Sequence, residues 1–322
     1  MVVAGIDEAG YGPLLGPLVV GCCAIETPGE PADELPDFWK LLRRTCSRQR
    51  DRKGIRLHVA DSKQVYTPAS GLKGLERSVL AFACAGGDMP STVQDFLARF
   101  AGDASEQTHQ YPWYAPRADD ALPVEQKPAD VRIASAALNA DLVRAGAAVR
   151  YMRAAAMLER RYNDMLDRMR NKSEVAFSLV ANHIDKLLRN FAAAGLVIVC
   201  DRQGGRAHYG RLLRLLFDDW SLEVLAERDD LSDYRLLRGS CAVRVLFREH
   251  AENCCMPTAV ASMLSKYVRE LLMRRFNSWW CAQVPQLKPT AGYYTDAQRF
   301  LADTADRRRE LLVVDRDLIR QK

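Results

Sequence analysis

The chain carries the stretch GIDEAGYGPLLGPLVVGCCAI at residues 5–25, in which two apolar runs flank a turn rich in glycine and proline. This pattern is typical of a β-hairpin or meander and excludes an all-helical fold. Asp7 and Glu8 end the first predicted strand. Because successive strand residues point to opposite faces, the two carboxylates share one site only if the chain bends directly after them, as Gly10 and Gly12 would allow.

A third acid follows the most apolar segment of the chain. The run LVIVC at residues 196–200 is typical of a strand buried on both faces, and it ends at Asp201, followed by Gly204 and Gly205. Ligands collect at strand ends in α/β sheets, so the acids are candidates for a metal site. From local pattern alone, turn roles for Asp7 and Glu8 and a helix-cap role for Asp201 are somewhat favoured over a metal site.

The remaining periodicity predicts mixed α/β structure around one sheet. Further strands are predicted at residues 56–60, 221–226 and 241–247, and helices at 75–83, 92–100, 138–169, 173–194, 209–217, 258–279 and 296–303. Ser62 and Ser173 are the predicted caps of two of these helices. We expect a single domain over residues 1–322, with a helical or loop insertion at 86–130 and a C-terminal helical extension at 283–322.

Composition excludes several classes of protein. The 322 residues are 48% apolar, enough for a large core, and 46 Lys and Arg against 41 Asp and Glu give a net charge of +5. That charge permits a nucleic-acid partner without demanding one. The longest apolar run near the start is about half the length of a membrane-spanning helix, and the acids at 7 and 8 do not suit a signal peptide. Nine cysteines without a CxxC pair predict reduced thiols in a cytoplasmic protein.

The 5–25 stretch resembles the N-terminal signature of type II ribonuclease H, GIDEAGRGPLAGPVV. Four further blocks resemble segments of the same family and follow in the family's order: DSKQ at 61–64, LVIVCDRQGG at 196–205, TAVASMLSK at 258–266 and AGY at 291–293. Residues 67–195 are essentially unmatched. The resemblance implies a ribonuclease H-like fold, and a first strand at Val2 favours type II over type III.

The resemblance also implies a catalytic set of four acids. Asp7, Glu8 and Asp201 match three family positions, and the fourth falls on Glu252, where the family has aspartate, with Glu249 as the alternative register. The implied chemistry is hydrolysis of RNA in RNA/DNA hybrids by two Mg²⁺ or Mn²⁺ ions. Carboxylate ligands suit such cations better than thiols or imidazoles do.

Substrate-binding residues follow from the same comparison. In the family, a glycine-arginine-glycine turn presents backbone groups to the 2′-hydroxyl of a ribonucleotide; here Gly10 and Gly12 are kept, but Tyr11 replaces the arginine. The family tyrosine that packs beneath the sugar matches Tyr293, although Ala291 replaces the preceding lysine. Tyr11 leaves hydrolysis plausible and makes selectivity for a single embedded ribonucleotide an open question.

The remaining candidate contacts lie in two of the matched blocks. Lys63, next to Ser62, corresponds to a phosphate-contacting lysine, and Ser262 and Lys266 share one face of a predicted helix. The implied partner is an RNA/DNA hybrid or a ribonucleotide-containing duplex, with no membrane and no dedicated protein partner. Two alternatives stay open: a metal-dependent nuclease acting on another structured nucleic acid, and a non-catalytic nucleic-acid-binding homologue.

Overall fold

The computed structural model describes residues 1–30, 34–51, 54–85, 87–203 and 206–321. Its strands are β1 (Val2–Ala9), β2 (Leu18–Glu26), β3 (Cys46–Ser47), β4 (Leu57–His58), β5 (Ala148–Met157), β6 (Leu196–Asp201), β7 (Ser221–Glu227), β8 (Leu231–Arg238) and β9 (Cys241–Arg248). Seven of them form one sheet in the order β5-β2-β1-β6-β9-β8-β7, and β3 pairs with β4. In the large sheet, β6 runs parallel to β1 and β9, and the other neighbours are antiparallel. The prediction of a mixed central sheet flanked by helices is therefore confirmed.

Thirteen helices surround these strands in the described part of the chain. They are α1 (Phe38–Leu41), α2 (Ser62–Val65), α3 (Lys73–Ala83), α4 (Val93–Phe100), α5 (Gly102–Gln107), α6 (Pro128–Arg144), α7 (Glu159–Met169), α8 (Lys172–Phe191), α9 (Gly210–Leu216), α10 (Met256–Gln283), α11 (Tyr294–Asp303), α12 (Ala305–Glu310) and α13 (Asp315–Leu318). Short 3₁₀ turns occur at Thr108–Gln110, Ala192–Ala194 and Ala251–Asn253.

The side chains of β1 alternate between two apolar cores, one on each face of the sheet. Val3 lies in the core that includes α3 and α10, and Ile6 lies in the core that includes α8. The strand β6 alternates in the same way, with Val199 facing α10 and Cys200 facing α8. This parity fixes which face each acid at the strand ends points to.

The long helix α10 lies directly against the sheet because two strand residues have no side chain. A Cβ on Gly5 would lie 2.0 Å from the backbone nitrogen of Thr258, and a Cβ on Gly21 would lie 2.3 Å from the carbonyl oxygen of Ala261. The Thr258 hydroxyl also donates to the carbonyl of Val199 at 3.0 Å. These contacts hold the start of α10 over β1, β2 and β6.

The predicted helix at 138–169 is wrong in its middle. Residues 148–157 form the strand β5, which pairs antiparallel with β2 at the edge of the sheet. Its alanine-rich sequence has high helix propensity, and pairing with β2 overrides that local preference. The strand β8 was not predicted; its residues 232–234 are buried between β7 and β9.

Two predicted helix caps are also wrong by one or two residues. Asn171, not Ser173, caps α8 by accepting from the backbone nitrogens of Ser173 and Glu174. Asp61 caps the short helix α2, whose first residue is Ser62.

The segment 87–130 and the segment 283–321 pack against the same end of α10. Trp113 contacts Trp279 and Trp280 with ring centroids 5.9 and 5.8 Å apart, and Phe300 lies 5.7 Å from Trp280. Gly86, the first residue of the predicted insertion, lies outside the described residues, as do Gly204 and Gly205. No described helix combines the length and apolarity needed to cross a membrane. All nine cysteines are free thiols, and five of them are buried.

Candidate active site

The strand register brings two of the predicted acids side by side. Ile6 of β1 pairs with Cys200 of β6 in the parallel part of the sheet. The next residue on each strand is an aspartate, so Asp7 and Asp201 lie at adjacent carboxyl ends. By the alternation of both strands, the two carboxylates share the face that α10 covers.

Glu252 joins Asp201 from the turn that follows β9. The backbone nitrogen of Ala251 donates to Asp201 Oδ1 at 3.0 Å, which holds the turn carrying Glu252 against Asp201. Burial and the charge of Asp201 raise the pKa of Glu252, as expected for two neighbouring carboxylates. Glu252 is buried, whereas Glu249 is exposed and its carboxylate lies 4.0 Å from the exposed His250 ring. Of the two alternatives, the structure therefore places Glu252 beside Asp201.

The helix α10 reaches the site through Ser262. Its hydroxyl accepts from the backbone nitrogen of Ser62 at 3.3 Å, and its interaction with Asp7 opposes the rise in the pKa of that carboxyl. The Asp7 carboxylate also accepts from the backbone nitrogen of Glu8 at 2.7 Å. A single serine thus connects the end of β1 to the start of α2.

Glu8 lies at the same strand end but on the other face. The strand β1 continues beyond the acids, with Ala9 still paired to Val19. The chain therefore lacks the bend directly after Glu8 that would bring both carboxylates to one face. The bend comes at Gly10, whose φ of +86° lies in the left-handed region. Gln203 Nε2 donates to Glu8 Oε2 at 3.4 Å.

All four acids have raised pKa values. Burial, reinforced by the charges of Glu8 and Asp201, raises the pKa of Asp7 well above its usual value. Burial and the charge of Asp201 raise the pKa of Glu8 to about 7, although the charge of Lys63 opposes this. Burial also raises the pKa of Asp201 and that of Glu252. Such a set of close, destabilised carboxylates is characteristic of functional sites.

The donor chemistry fits a hard divalent cation, since the four side chains offer only carboxylate oxygens. Among the described residues, however, no three His, Cys, Asp or Glu side chains form a group arranged to hold a metal ion. Glu8 lies on the opposite face of β1 from Asp7 and is held there by Gln203.

A loop at residues 10–17 follows β1 and is held by two buried arginines. Arg269 Nη2 donates to the carbonyls of Leu15 at 3.3 Å and Ala291 at 3.0 Å. Arg320 Nη2 donates to the carbonyl of Gly10 at 2.6 Å and also to that of Pro13. Both arginines are about 2% exposed, so these bonds are shielded from solvent.

A buried carboxyl completes the support of this loop. Glu159 Oε1 accepts from the backbone nitrogen of Gly16 at 3.0 Å and from the Tyr114 hydroxyl at 2.6 Å. Burial raises the pKa of Glu159 to about 7, and the Tyr114 hydrogen bond and the charge of Arg320 oppose the rise. The insertion, through Tyr114, and the C-terminal extension, through Arg320, therefore fix opposite ends of one loop.

The candidate substrate residues lie around the loop. The Gly292 carbonyl accepts from Leu14 N at 2.8 Å, and a Cβ on Gly292 would lie 2.3 Å from the Leu15 carbonyl oxygen. This contact places Tyr293, whose side chain is 54% exposed, beside the loop. Gly12 is exposed, with no heavy atom within 4 Å of where a Cβ would lie. Tyr11 packs under the Lys172 ammonium, 4.8 Å from its ring centroid.

Lys266 is oriented away from the acids. Its ammonium donates to Glu270 Oε1 at 2.6 Å and lies 4.5 Å from the Tyr66 ring centroid. Lys63 remains exposed next to Glu8. Of the two predicted lysines, only Lys63 acts on the carboxylates.

Several residues of the site were not predicted from the sequence: Gln203, Arg269, Arg320, Glu159 and Tyr114. Gln203 stands two residues after Asp201, which would have been a usable signal. The other four come from distant parts of the chain and carry no local pattern.

Comparison with solved structures identifies the class of fold. No protein-family model matches the chain, and no curated protein matches it. A variant of the Bst ribonuclease HIII has a TM-score of 0.50 and 17% identity, with 99% of this chain and 66% of that chain covered. The chain therefore has a ribonuclease H-like fold, which confirms the expectation drawn from the 5–25 stretch.

Two further neighbours have lower scores. The structure of the PCNA:ribonuclease HII complex from Archaeoglobus fulgidus has a TM-score of 0.45 and 15% identity, covering 100% of this chain and 98% of that one. The ribonuclease H2 from Pyrococcus horikoshii OT3 has a TM-score of 0.42 and 13% identity, with coverages of 99% and 92%.

Proposed function

We propose that the chain is a metal-dependent endonuclease that hydrolyses the RNA strand of RNA/DNA hybrids, including ribonucleotides embedded in a DNA duplex. The observation that carries this proposal is the cluster of Asp7, Glu8, Asp201 and Glu252 at adjacent strand ends, each with a raised pKa. A binding module would gain nothing from acids that repel phosphates. In a metal-dependent hydrolase such acids have a purpose, because bound cations neutralise their mutual repulsion and attract the phosphate.

The four carboxylates would hold the cations. When bound, Mg²⁺ or Mn²⁺ neutralises phosphate charge and activates the attacking water. Ser262 on α10 would support Asp7, because its side chain favours the ionised form of that carboxyl. Gln203 would hold Glu8 at the strand end.

The loop at 10–17 would carry substrate recognition. Gly12 leaves open space for a close approach of the sugar-phosphate backbone, and the 2′-hydroxyl distinguishes RNA from DNA at such a contact. The exposed ring of Tyr293 is available to pack against a sugar. Ser62 and Lys63 flank the acids on the side where the chain enters α2, and Lys63 would contact a phosphate.

The decisive experiment is a cleavage assay on three labelled duplexes, carrying one ribonucleotide, a run of ribonucleotides or none, each with Mg²⁺ and with Mn²⁺. We expect cleavage only where ribonucleotides are present. Asp201→Asn should abolish it, whereas Asp185→Asn, an exposed acid on α8 paired with Arg189, should not. No cleavage of any duplex with either metal and with enzyme in excess would refute the proposal.

A second candidate function is favoured by Tyr11. A neutral ring under the Lys172 ammonium replaces the family's arginine in the loop, so the duplex contacted there can differ. We therefore include branched and hairpin substrates in the assay. Cleavage of these in preference to hybrids would identify a nuclease for another structured nucleic acid, and tight binding without cleavage would identify a non-catalytic homologue.

A further inference from the structure

A basic cleft lies beside the acids, outside the residues assigned above. It encloses about 610 Å³ between residues 50–51, residues 54–58, α2 and the first half of α3. Its polar lining includes Arg50, Arg56, His58, Gln64, Lys73 and Arg77.

The cleft has an excess of positive charge. Arg50, Arg56, Lys73 and Arg77 line it against two acids, Asp51 and Asp130. Within the described residues, Arg56 is 4.0 Å from Asp51, and no carboxylate forms an ion pair with Arg50 or Lys73. The lining therefore carries four cations against two carboxylates, in a chain whose net charge is only +5.

The wall of the cleft is fixed by hydrogen bonds. Asp51 Oδ2 accepts from the backbone nitrogens of Ile55 and Arg56, both at 3.1 Å. Arg77 donates to the carbonyl of Ile55 at 3.0 Å, and the Ser78 hydroxyl donates to that of His58 at 2.9 Å. Because the backbone is already positioned, binding an anion would cost little further ordering of the chain.

The helix α2 connects the cleft to the acids. Gln64 lines the cleft, and its neighbour Lys63 acts electrostatically on Glu8. At the other end of α2, the charge of Asp61 acts on Glu252, and Ser62 N donates to Ser262. A strand bound at the acids would therefore pass into the cleft within one turn of helix.

We propose that this cleft binds backbone phosphates of the nucleic-acid strand that flanks the scissile position. The proposal rests on the function proposed above and adds a binding site to it. The guanidinium groups of Arg50 and Arg56 match phosphate geometry, and Lys73 adds a mobile point charge. Such contacts position a strand without reading its sequence, so the cleft would contribute affinity rather than base preference.

The test compares two charge-matched double variants. Arg50→Gln/Lys73→Gln removes two exposed cations of the cleft. Lys186→Gln/Arg189→Gln removes two exposed cations near the end of α8, which covers the other face of the sheet and ends next to the start of β6, away from Asp201. Thermal unfolding and circular dichroism of both variants verify that the fold is kept.

Binding is measured by fluorescence anisotropy with a labelled 20-base-pair RNA/DNA hybrid in EDTA, where cleavage does not occur, over a range of KCl concentrations. We expect the cleft variant to bind about tenfold more weakly, and its slope of log K against log[salt] to be shallower by about 2, since each phosphate contact contributes about 0.9. The α8 variant should match the wild type.

A cleft variant whose affinity and slope equal those of the α8 variant would overturn the inference. The two proposals can fail separately. If the cleft variant shows the shallower salt slope but the wild type never cleaves with Mg²⁺ or Mn²⁺, the nuclease proposal is refuted and the phosphate-binding cleft is supported. Normal cleavage with an unchanged slope and KM in the cleft variant refutes the cleft and keeps the nuclease.

Discussion

Arg320 donates from Nη2 to the carbonyl oxygen of Gly10 at 2.6 Å, across 310 positions of sequence. The same atom donates to the carbonyl of Pro13, and the guanidinium lies 5.0 Å from the Tyr162 ring centroid. Burial and the charge of Arg269 lower the pKa of Arg320 to about 10, so it stays charged at neutral pH. The C-terminal extension therefore acts directly on the turn that carries Gly10 and Gly12.

Replacing Arg320 with methionine should impair substrate binding more than turnover. Methionine fills the buried space of the aliphatic part of the arginine, but the carbonyls of Gly10 and Pro13 lose their donor, so the loop relaxes. We expect KM for the hybrid to rise about tenfold with kcat changed less, the pattern of lost uniform binding. Unfolding in urea should show a loss of about 1.5–3 kcal/mol, as for a hydrogen bond to a charged group.

The matched control is Arg316→Met in the same segment. Arg316 pairs with Asp164 and Asp167 at the surface and does not touch the loop. Its removal should leave the urea midpoint and KM nearly unchanged, because exposed ion pairs contribute little to stability. Arg320→Lys should restore part of the KM, because one donor returns. Equal KM values for wild type and Arg320→Met would contradict a positioning role.

Gly5→Ala should destabilise the protein strongly, although it adds only a methyl group. The new Cβ would lie 2.0 Å from Thr258 N and 2.2 Å from the Pro257 carbonyl carbon, both backbone atoms. The start of α10 must then move off β1, at a cost of about 1–3 kcal/mol or more. Gly12→Ala meets no heavy atom within 4 Å and should leave the urea midpoint unchanged. Similar midpoints for both variants would show that α10 can shift freely.

The sequence was sufficient to predict the centre of the sheet and the acids. The run at 196–200 is buried on both faces, so its apolar residues predict a strand, and Asp201 marks its end. The strand β5 was missed because its alanines favour a helix locally, while pairing with β2 decides its structure. Arg320, Glu159 and Tyr114 were missed because their roles depend on contacts across 45 or more residues.

Stability of the metal-free protein should fall as pH rises from about 5 to 8. The folded state raises the pKa of Glu8 from 4.5 to about 7, so it binds that proton more tightly than the unfolded chain does. The resulting stabilisation is present below the unfolded pKa and is lost as pH rises through the folded one. For Glu8 the loss is on the order of 3 kcal/mol at most, at about 1.36 kcal/mol per pH unit.

Urea unfolding in EDTA at several pH values measures this loss. Glu8→Gln should make the pH dependence shallower, because the glutamine does not titrate; Glu159, whose pKa is also raised to about 7, keeps part of it. Glu174→Gln, at an exposed end of α8 where Asn171 contacts it, should keep the wild-type profile. Stability that increases with pH in EDTA would contradict the raised pKa values.

Divalent cations should stabilise the wild type and not Asp201→Asn. Binding to the folded state alone adds about 2.7 kcal/mol when the cation is present at 100 times its Kd. The charge of Asp201 acts on both Asp7 and Glu252, so the asparagine removes the carboxylate that these two acids have in common as a neighbour. We expect MnCl₂ or MgCl₂ at pH 7.5 to raise the wild-type Tm by several degrees and to leave that of Asp201→Asn unchanged.

Without metal, Asp201→Asn should not destabilise the protein. Removing one of four mutually repelling carboxylates lowers the electrostatic cost of the cluster, so Asp201→Asn in EDTA at pH 8 should be at least as stable as the wild type. Asp185→Asn provides the control, because it should respond to MnCl₂ as the wild type does. Equal cation-induced shifts in all three proteins would place the stabilising cation elsewhere and remove the carboxylate cluster as its site.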